Sequence, residues 1–586
     1  MASPLSEFTP VSILSLKGYG RASFVADLLA GLTVGVIALP LAMAFAIASG
    51  LPPERGLFTA IVAGFMISAL GGSRVQIGGP TGAFVVIVSG VAVQFGYTGL
   101  VWATILAAGF LIALGVARMG GLIKFIPFPV TTGFTSGIAV VIFSTQVKDL
   151  LGLRMEEVPA EFLEKWWAYL QHLGSITPAA AAVGVGTIVV IVVSRRLAPR
   201  APAMLIGMVV ATLATMALGL DIETIGSRFG DLPRTLPKPG LPSITAAELR
   251  ALVAPAFTIG MLAAIESLLS ATVADGMTGD RHKPNVELVA QGLANIGSVL
   301  FGGIPATGAI ARTAANVKAG ARTPFAGMIH AVVLFLLLFF LAPLAKAIPL
   351  AALAGILVVV AYNMSEVDHF LGLLKAPRSD VMVLLSTFAL TILVDLTVAV
   401  EVGIVLAALL FIRRMSEVTS IGMITREVSA DQADGQDPNA LALRHVPPGV
   451  EVFEIQGAFF FGAADRFKET MRTMERPPQV LVLRMRNVFA VDATGLHVLE
   501  ELLHLCRRDG TTLVLSGVHA QPLVAIQRKG LWEEIGEANI HGHIDDALDR
   551  AADLVGLPRP VHPTPFVPNV QRQGAPTPAE PAAKAP

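Results

Sequence analysis

Long apolar segments fill the first two thirds of the chain. From about residue 25 to about residue 415, stretches of roughly 20 mostly apolar residues follow one another with short polar interruptions, and a helix of that length crosses a bilayer. We count about fourteen such spans, two of them short, to within about two because neighbouring spans merge. The pattern predicts a polytopic α-helical membrane protein with a transmembrane domain at residues 25–415.

The pattern changes beyond that domain. Residues 448–553 carry frequent charges, and strand-like and helix-like segments alternate, which is typical of a soluble α/β domain. Residues 416–447 are expected to link the two domains. The tail, 554–586, is rich in Pro and Ala and has no apolar period, which predicts disorder. The N-terminal segment, 1–24, lacks the basic start, short apolar core and cleavage site of a signal peptide. The basic loops described below predict that this segment is cytoplasmic.

Composition supports the membrane assignment. Of the 586 residues, 54% are hydrophobic and 15% are charged, whereas soluble domains carry about 25% charged residues. The net charge of −1 provides no basic surface, so a nucleic-acid partner is not expected. A single cysteine, Cys506, excludes an internal disulfide and a thiolate metal site.

Basic residues lie on alternate short loops between the predicted spans. With an even number of spans these loops share a side with both termini, and the opposite short loops carry almost no Lys or Arg. The positive-inside rule therefore predicts cytoplasmic termini and a cytoplasmic soluble domain, in a bacterial inner membrane. The basic residues on these loops are Arg118, Lys124, Arg195, Arg196, Arg200, Arg281, Lys283, Lys318, Arg322, Lys375, Arg378, Arg413 and Arg414.

One short sequence interrupts two apolar regions. "GGPTGA" occupies residues 78–83, and "GGIPATGA" occupies residues 302–309. Non-helical backbone at membrane depth must be buried in protein or line a cavity. We therefore predict two extended segments, each followed by a half-helix that begins near the membrane midplane. Two such N-termini direct unpaired N–H groups and positive dipole ends to one place, which is an anion site. The alternative is that the small residues serve only helix packing.

Two ionisable residues lie in apolar surroundings. Arg312 follows the second interruption, and Glu266 lies in the middle of a predicted span. Each costs about 2.5–3.5 kcal/mol at a helix centre, so we expect both to face the protein interior. In the functional interpretation, Arg312 attracts the anion and Glu266 binds a proton. In the structural alternative, the two residues form a buried ion pair that only fixes helix packing.

The residues around both interruptions resemble the SulP family of anion transporters. The likeness is carried by "ALPLAMAFAIASGLPPERG", which begins at residue 38, and by "AAIESLLSATVADGMTGDRHKP", which begins at residue 263. Within the family the chain resembles bacterial dicarboxylate transporters of the DauA type. The resemblance implies a 7+7 inverted repeat with core and gate domains, a substrate between the third and tenth spans, a homodimer, and elevator-like alternating access.

The resemblance also implies site residues. Glu266 and Ser270 match positions that hold the coupling ion, and because sodium-coupled relatives have Asp where this chain has Glu266, a proton is favoured over sodium. Leu41 stands where many eukaryotic relatives have Gln, which disfavours sulfate. We therefore expect proton-coupled symport of a dicarboxylate such as succinate or fumarate, with sulfate or bicarbonate transport, or an anion channel or exchanger, as alternatives. The implied substrate-binding residues are Phe45, Thr81, Gly82, Ala83, Thr307, Gly308, Ala309, Ala311 and Arg312.

The soluble domain resembles a STAS domain, the fold of bacterial anti-sigma-factor antagonists. Asp492 is placed to cap the helix that starts at "ATGLHVL". Ala493 stands where the antagonists carry a phosphorylated Ser, so Thr494 is the remaining phosphorylation candidate, and a dimerising or folding role is favoured. We find no P-loop, HExxH or nucleophile–His–Asp pattern, so neither an enzyme nor a cofactor is expected. His330, alone in an apolar segment, is interpreted as a packed or interfacial histidine.

Overall fold

The computed structural model describes residues 8–121, 127–155, 158–159, 161–198, 201–394, 396–418, 420–423, 444–460 and 477–562. The chain divides into two compact units, residues 1–407 and 408–586. Of the tail predicted to be disordered, residues 554–562 are described, and the last helix runs to Val555; residues 563–586 lie outside the described residues.

The first unit consists almost entirely of helices. Proline opens several of them, at Pro53, Pro178 and Pro284, where its fixed φ suits the first turn and no amide donor is needed. Glycine in the left-handed conformation ends others, at Gly152 and Gly279. The elements, in chain order, are α1 (Val11–Ser15), α2 (Arg21–Ala48), α3 (Pro53–Leu70), β1 (Gly78–Gly79), α4 (Phe84–Val116), α5 (Phe128–Leu151), α6 (Phe162–Gln171), α7 (Pro178–Leu197), α8 (Ala203–Ala217), α9 (Ile225–Phe229), α10 (Ala246–Ala251), α11 (Val253–Thr278), α12 (Pro284–Leu300), β2 (Thr307–Gly308), α13 (Ile310–Lys318), α14 (Phe325–Ala345), α15 (Leu350–Met364), α16 (Val367–Leu373), α17 (Arg378–Leu393) and α18 (Leu396–Val418).

Eight helices of the described residues are long and apolar enough to cross a membrane. They are α2, α3, α4, α5, α7, α11, α14, and α15 together with α16. α4 breaks at Gly96, whose φ of 66° and ψ of −177° are not helical, so it forms two successive spans. Dividing α4 and adding α8, α12, α13, α17 and α18 gives fourteen membrane segments in the part of the chain that the structure describes.

These segments form two repeats of seven, α2–α8 and α11–α18. β1 precedes α4 in the first repeat, and β2 precedes α13 in the second. Helices α2–α4 pack with α11–α14 as one group, and α5, α7, α8, α15 and α17 pack as another. α2 contacts helices of both groups. The arrangement confirms the predicted fold class, and the two groups correspond to the expected core and gate.

The second unit contains a five-stranded sheet of order β3-β4-β5-β6-β7. β3 pairs antiparallel with β4, and the remaining neighbours are parallel. β3 lies inside the segment expected to be a linker, so the sheet begins before residue 448. The elements are β3 (Ser420–Met423), β4 (Val450–Gln456), β5 (Val480–Asn487), α19 (Ala493–Arg508), β6 (Thr512–Ser516), α20 (Ala520–Lys529), α21 (Leu531–Ile535), β7 (Ile540–His541) and α22 (Ile544–Val555).

Apolar side chains cover both faces of this sheet. Residues of α19, α20 and α21 form one core with the sheet, and residues of α22 form the other. Asp492 caps α19, since its Oδ1 accepts a hydrogen bond from the Gly495 amide at 2.8 Å, as the sequence predicts.

Candidate functional site

The two repeated sequences meet in the first unit. Gly78 pairs with Gly308, and Gly79 pairs with Thr307, in an antiparallel contact between β1 and β2. The Ala309 amide donates to the Ile77 carbonyl at 2.8 Å and extends the contact. The starts of the two half-helices are far apart in the sequence, but these backbone hydrogen bonds hold them together.

Two glycines at this contact leave no room for a side chain. A methyl group on Gly308 would lie 1.7 Å from Nε2 of Gln76. Gly79 has φ +146°, and a methyl group on it would lie 2.8 Å from Nη1 of Arg312. A side chain at either position would displace the Gln76 or Arg312 side chain from its contacts, and at Gly79 it would also strain the backbone.

The two half-helices begin beside this contact with unpaired amides. α4 starts from a turn in which the Phe84 and Val85 amides donate back to Thr81 and Gly82. The amides of Gly82, Ala83, Ile310 and Ala311 have no acceptor among the described residues. Ile310 and Ala311 are exposed. The first N–H groups of a helix carry the positive end of its dipole, so this place favours an anion.

Arg312 and Glu266 approach one turn from different helices. Arg312 is 3% exposed, its Nη2 donates to the Pro80 carbonyl, and its Nη1 has no partner in the described residues. Glu266 of α11 is partly exposed and accepts a hydrogen bond from Thr81 Oγ1 at 2.8 Å. No ion pair within 4.0 Å joins the two in the described part of the chain. Instead, Arg312 bonds to Pro80 and Glu266 bonds to Thr81, which are adjacent residues of the turn that opens α4.

Side chains of α5 and α15, which belong to the group of helices that corresponds to the gate, also contact this turn. A methyl group on Gly82 would lie 2.8 Å from Sδ of Met364, 3.1 Å from Cδ1 of Ile142 and 3.3 Å from Cε1 of Phe45. Phe45 is 5% exposed on α2, while the other two come from α15 and α5. The sequence analysis names Phe45 but misses Ile142 and Met364, because an apolar residue in an apolar span carries no distinguishing signal.

The hydroxyls of Thr307 and Ser270 bond to neighbouring elements of the core. Thr307 is fully buried, and its Oγ1 donates to the Ala263 carbonyl of α11 at 3.0 Å. Ser270 Oγ donates to Thr313 Oγ1 at 3.0 Å, and Thr313 also accepts from the Ile77 amide at 3.0 Å. Ser270 therefore contacts the helix that carries Arg312, while Glu266 contacts the turn before α4.

Three buried amide side chains, which the sequence analysis misses, support the extended segments. Gln76 Nε2 donates to the Ser267 carbonyl at 3.0 Å, and Asn316 Nδ2 donates to the Val75 carbonyl at 2.8 Å. Asn295 both accepts from the amide of Ala306 and donates to its carbonyl, each at 2.8 Å. Amides within apolar spans are a sequence signal that could have found them, because such groups need buried partners.

Models of known families match both units. The sulfate permease family model matches residues 24–387, and the STAS domain model matches residues 443–547. The putative sulfate transporter YvdB of Bacillus subtilis is 41% identical over 90% of this chain and 98% of its own. The bicarbonate transporter BicA of a Picosynechococcus strain is 31% identical over 75% of this chain and 79% of its own.

A solved structure shares the fold. Murine solute carrier 26 family member A9, an anion transporter in the inward-facing state, superposes with a TM-score of 0.81, covering 94% of both chains at 19% identity. At that identity the likeness concerns the fold alone.

Proposed function

The chain belongs to the sulfate permease family, and on that premise we propose that it is a secondary active transporter that carries a small oxyanion together with a proton. The observation that carries the proposal is the turn at Pro80 and Thr81. Unpaired helix amides, the Arg312 guanidinium and the Glu266 carboxyl all lie beside it. The site thus offers positive potential for an anion next to a group that can take up a proton.

The coupling follows from charge. An anion at the two helix N-termini would lie near the Glu266 carboxylate, and two negative charges in a low-dielectric site repel strongly. Protonation of Glu266 removes this repulsion and leaves the hydrogen bond from Thr81 possible. Anion and proton therefore favour each other's binding, and by linkage the effect is reciprocal.

Sulfate and bicarbonate are the substrates that the names of the relatives support. YvdB is named a putative sulfate transporter, and BicA is named a bicarbonate transporter. Dicarboxylate transport remains a proposal that rests on the sequence resemblance alone. Backbone amides bind the oxygens of all three anions, so the geometry of the half-helices does not discriminate among them.

We extend the proposal to the transport cycle. The core would carry Arg312 and Glu266 past the gate residues Ile142 and Met364 in an elevator-like movement, within a homodimer. The termini and the STAS unit would face the cytoplasm of a bacterial inner membrane, as the basic loops predict.

Uptake into proteoliposomes tests the proposed function. Radiolabelled succinate, fumarate, sulfate and bicarbonate are compared at two external pH values, with and without a protonophore. We expect one of these anions to accumulate faster at the lower pH, and the protonophore to abolish accumulation. Uptake that follows a sodium gradient at fixed pH would contradict proton coupling, and steady flux that ignores both gradients would indicate a channel.

A further inference from the structure

One face of α3 carries only small residues at three successive turns. Ala60, Gly64 and Ser68 follow at intervals of four, which places them on one side of the helix. The face spans about 12 Å along the axis, from the depth of Arg312 to the end of α3. All three residues are buried. A stripe of small residues usually serves close packing, but unpartnered polar atoms lie beside each of these turns.

The first turn is at Ser68, near the end of α3 that we assign to the cytoplasm. Ser68 is 3% exposed, and its hydroxyl has no hydrogen-bond partner among the described residues. A methyl group on Gly327, at the start of α14, would lie 2.1 Å from Ser68 Oγ. α3 and α14 thus approach closely with a polar atom between them.

The second turn is at Gly64, opposite His330 of α14. His330 is fully buried, and neither ring nitrogen has a hydrogen-bond partner among the described residues; the carbonyl of Gly327, one turn earlier, is a neighbouring acceptor. A methyl group on Gly64 would lie 3.8 Å from His330 Nδ1 and 3.1 Å from the Gly78 carbonyl oxygen. Both groups therefore lie close to the position that a side chain at residue 64 would occupy.

The third turn is at Ala60, opposite Arg312. The position of a methyl group on Gly79 lies 3.4 Å from Cα of Ala60 and 2.8 Å from Nη1 of Arg312, the nitrogen that has no partner in the described residues. The same face of α3 therefore leads from Ser68 past His330 to the guanidinium of the site.

Buried polar groups without partners are costly and are commonly satisfied by ordered water. We propose that the Ala60–Gly64–Ser68 face holds a file of ordered water, with His330 at its centre, that carries protons between the cytoplasmic end of α3 and the site of Arg312 and Glu266 while the gate closes the site to the opposite side of the membrane. This inference rests on the proton coupling proposed above, and it adds the path by which the proton travels.

His330 would act as the relay in this file. A proton from water bonds to one ring nitrogen while the proton on the opposite nitrogen leaves to the next water, so the ring is neutral before and after. Arg312 of α13 interacts electrostatically with His330, and α2, which packs against α14, carries Asp27, which accepts hydrogen bonds from the Arg322 and Thr323 amides at 2.7 and 3.1 Å. The facing side of α3 contributes no charge.

Three variants test the proposal. Gly64→Ala adds a methyl group 3.1 Å from the Gly78 carbonyl oxygen and 3.8 Å from His330 Nδ1, which narrows the space beside the imidazole. His330→Gln keeps a hydrogen-bonding side chain that cannot relay a proton. Gly109→Ala of α4 is the matched control, since a methyl group there meets nothing within 4 Å. Each full-length protein is reconstituted in proteoliposomes that contain a trapped pH dye. Radiolabelled sulfate and succinate, each alone, are the probes, and both anion exchange at equal pH and proton entry with the anion are recorded.

We expect Gly64→Ala and His330→Gln to exchange the anion at the wild-type rate, because exchange of the loaded carrier needs no proton release. Proton entry should fall at least about tenfold in both, while Gly109→Ala matches wild type. Wild-type proton entry in both test variants overturns the proposal, and so does a parallel loss of exchange and proton entry, which would indicate a structural role. If wild type exchanges sulfate or succinate but moves no proton with it, the coupling fails first and the water file loses its function with it.

Discussion

At the residue scale, Arg312 and Glu266 are linked through a shared turn. Arg312 donates to the Pro80 carbonyl, and Thr81 donates to Glu266, so each side chain fixes one end of the same backbone unit. An anion that binds at this turn would meet the charge of both. Their roles can therefore be separated by variants that alter one charge at a time.

Removing the guanidinium should weaken anion binding. In Arg312→Ala we expect the apparent affinity to fall about 10- to 100-fold, since a charge-assisted hydrogen bond contributes about 1.5–3 kcal/mol. Binding is measured by isothermal titration of the purified protein with the anion that wild type transports. The hydrogen bond to Pro80 is lost as well, so thermal unfolding is recorded in parallel. A folded variant with wild-type affinity would remove Arg312 from the site.

Neutralising Glu266 should separate binding from coupling. Glu266→Gln imitates the protonated carboxyl, and its amide oxygen can still accept from Thr81. We expect this variant to exchange substrate across the membrane but not to concentrate it under an inward proton gradient. Counterflow and gradient-driven uptake, measured on the same proteoliposomes, distinguish the two activities. Accumulation equal to wild type would make Glu266 structural.

At the element scale, each extended segment is held by a charged residue near the start of a helix in the other repeat. Glu287 of α12 is fully buried, and its Oε2 accepts from the Gly72 amide, before β1, at 2.8 Å. Arg55 of α3 donates to the Gly302 carbonyl, before β2, at 3.1 Å. We call these two contacts anchors. Glu287 binds a backbone amide and Arg55 binds a backbone carbonyl, so oppositely charged side chains perform equivalent roles.

Tyr97 completes the second anchor and permits a graded test. Its ring lies 3.4 Å beneath the Arg55 guanidinium, and its hydroxyl donates to the Gly303 carbonyl at 2.8 Å. Tyr97→Phe keeps the ring and should cost about 1 kcal/mol of stability. Arg55→Ala removes both the cation–π contact and a partly buried hydrogen bond, and should cost about 2–3 kcal/mol. Thermal unfolding in detergent measures both, and equal costs would contradict the anchor.

The sequence predicts the half-helices and the buried charges but not the contacts of single polar side chains, for physical reasons. Repetition of glycine and proline in apolar regions predicts the half-helices, because irregular backbone is restricted at membrane depth. The cost of a buried charge singles out Glu266 and Arg312. The bonds of Ser270 and Thr307 to other core elements could not be predicted, because one hydroxyl in an apolar segment does not fix which neighbour it contacts. For the same reason, the sequence shows that His330 lies in an apolar segment but not which groups it contacts.

At the scale of the whole molecule, the single cysteine reports on the second unit within the intact chain. Cys506 is 4% exposed on α19. Burial, and to a lesser degree the charge of Asp509, raises the pKa of its thiol to about 12, so the folded unit should resist thiol reagents. We expect little reaction of the native protein at neutral pH and full reaction in denaturant. Rapid reaction of the native protein would show that α19 is not packed as described.

Labelling of the same thiol can also test an ion pair that joins the segment before β4 to α22. Arg444, whose side chain is 2% exposed, bonds to Asp545 through two nitrogens, one of them at 3.2 Å. Burial alone would raise the pKa of Asp545, but the hydrogen bond and charge of Arg444 hold it below its ordinary value. A carboxyl with a lowered pKa stabilises the fold above its ordinary pKa of about 3.9, and this contribution is lost as pH falls below that value.

Arg444→Met should therefore destabilise the second unit at neutral pH but not in acid. We expect a loss of about 2 kcal/mol near pH 7, less than for a fully buried pair because Asp545 is 20% exposed and also faces His543 at 3.2 Å. Denaturant dependence of Cys506 labelling is compared between wild type and variant in the full-length protein, with a dithiodipyridine reagent that reacts at low pH. The difference should persist down to about pH 4 and shrink below it, as Asp545 becomes protonated in both folded and unfolded chains. A difference that stays constant from pH 7 to about pH 3 would assign the effect to lost packing of the Arg444 stem.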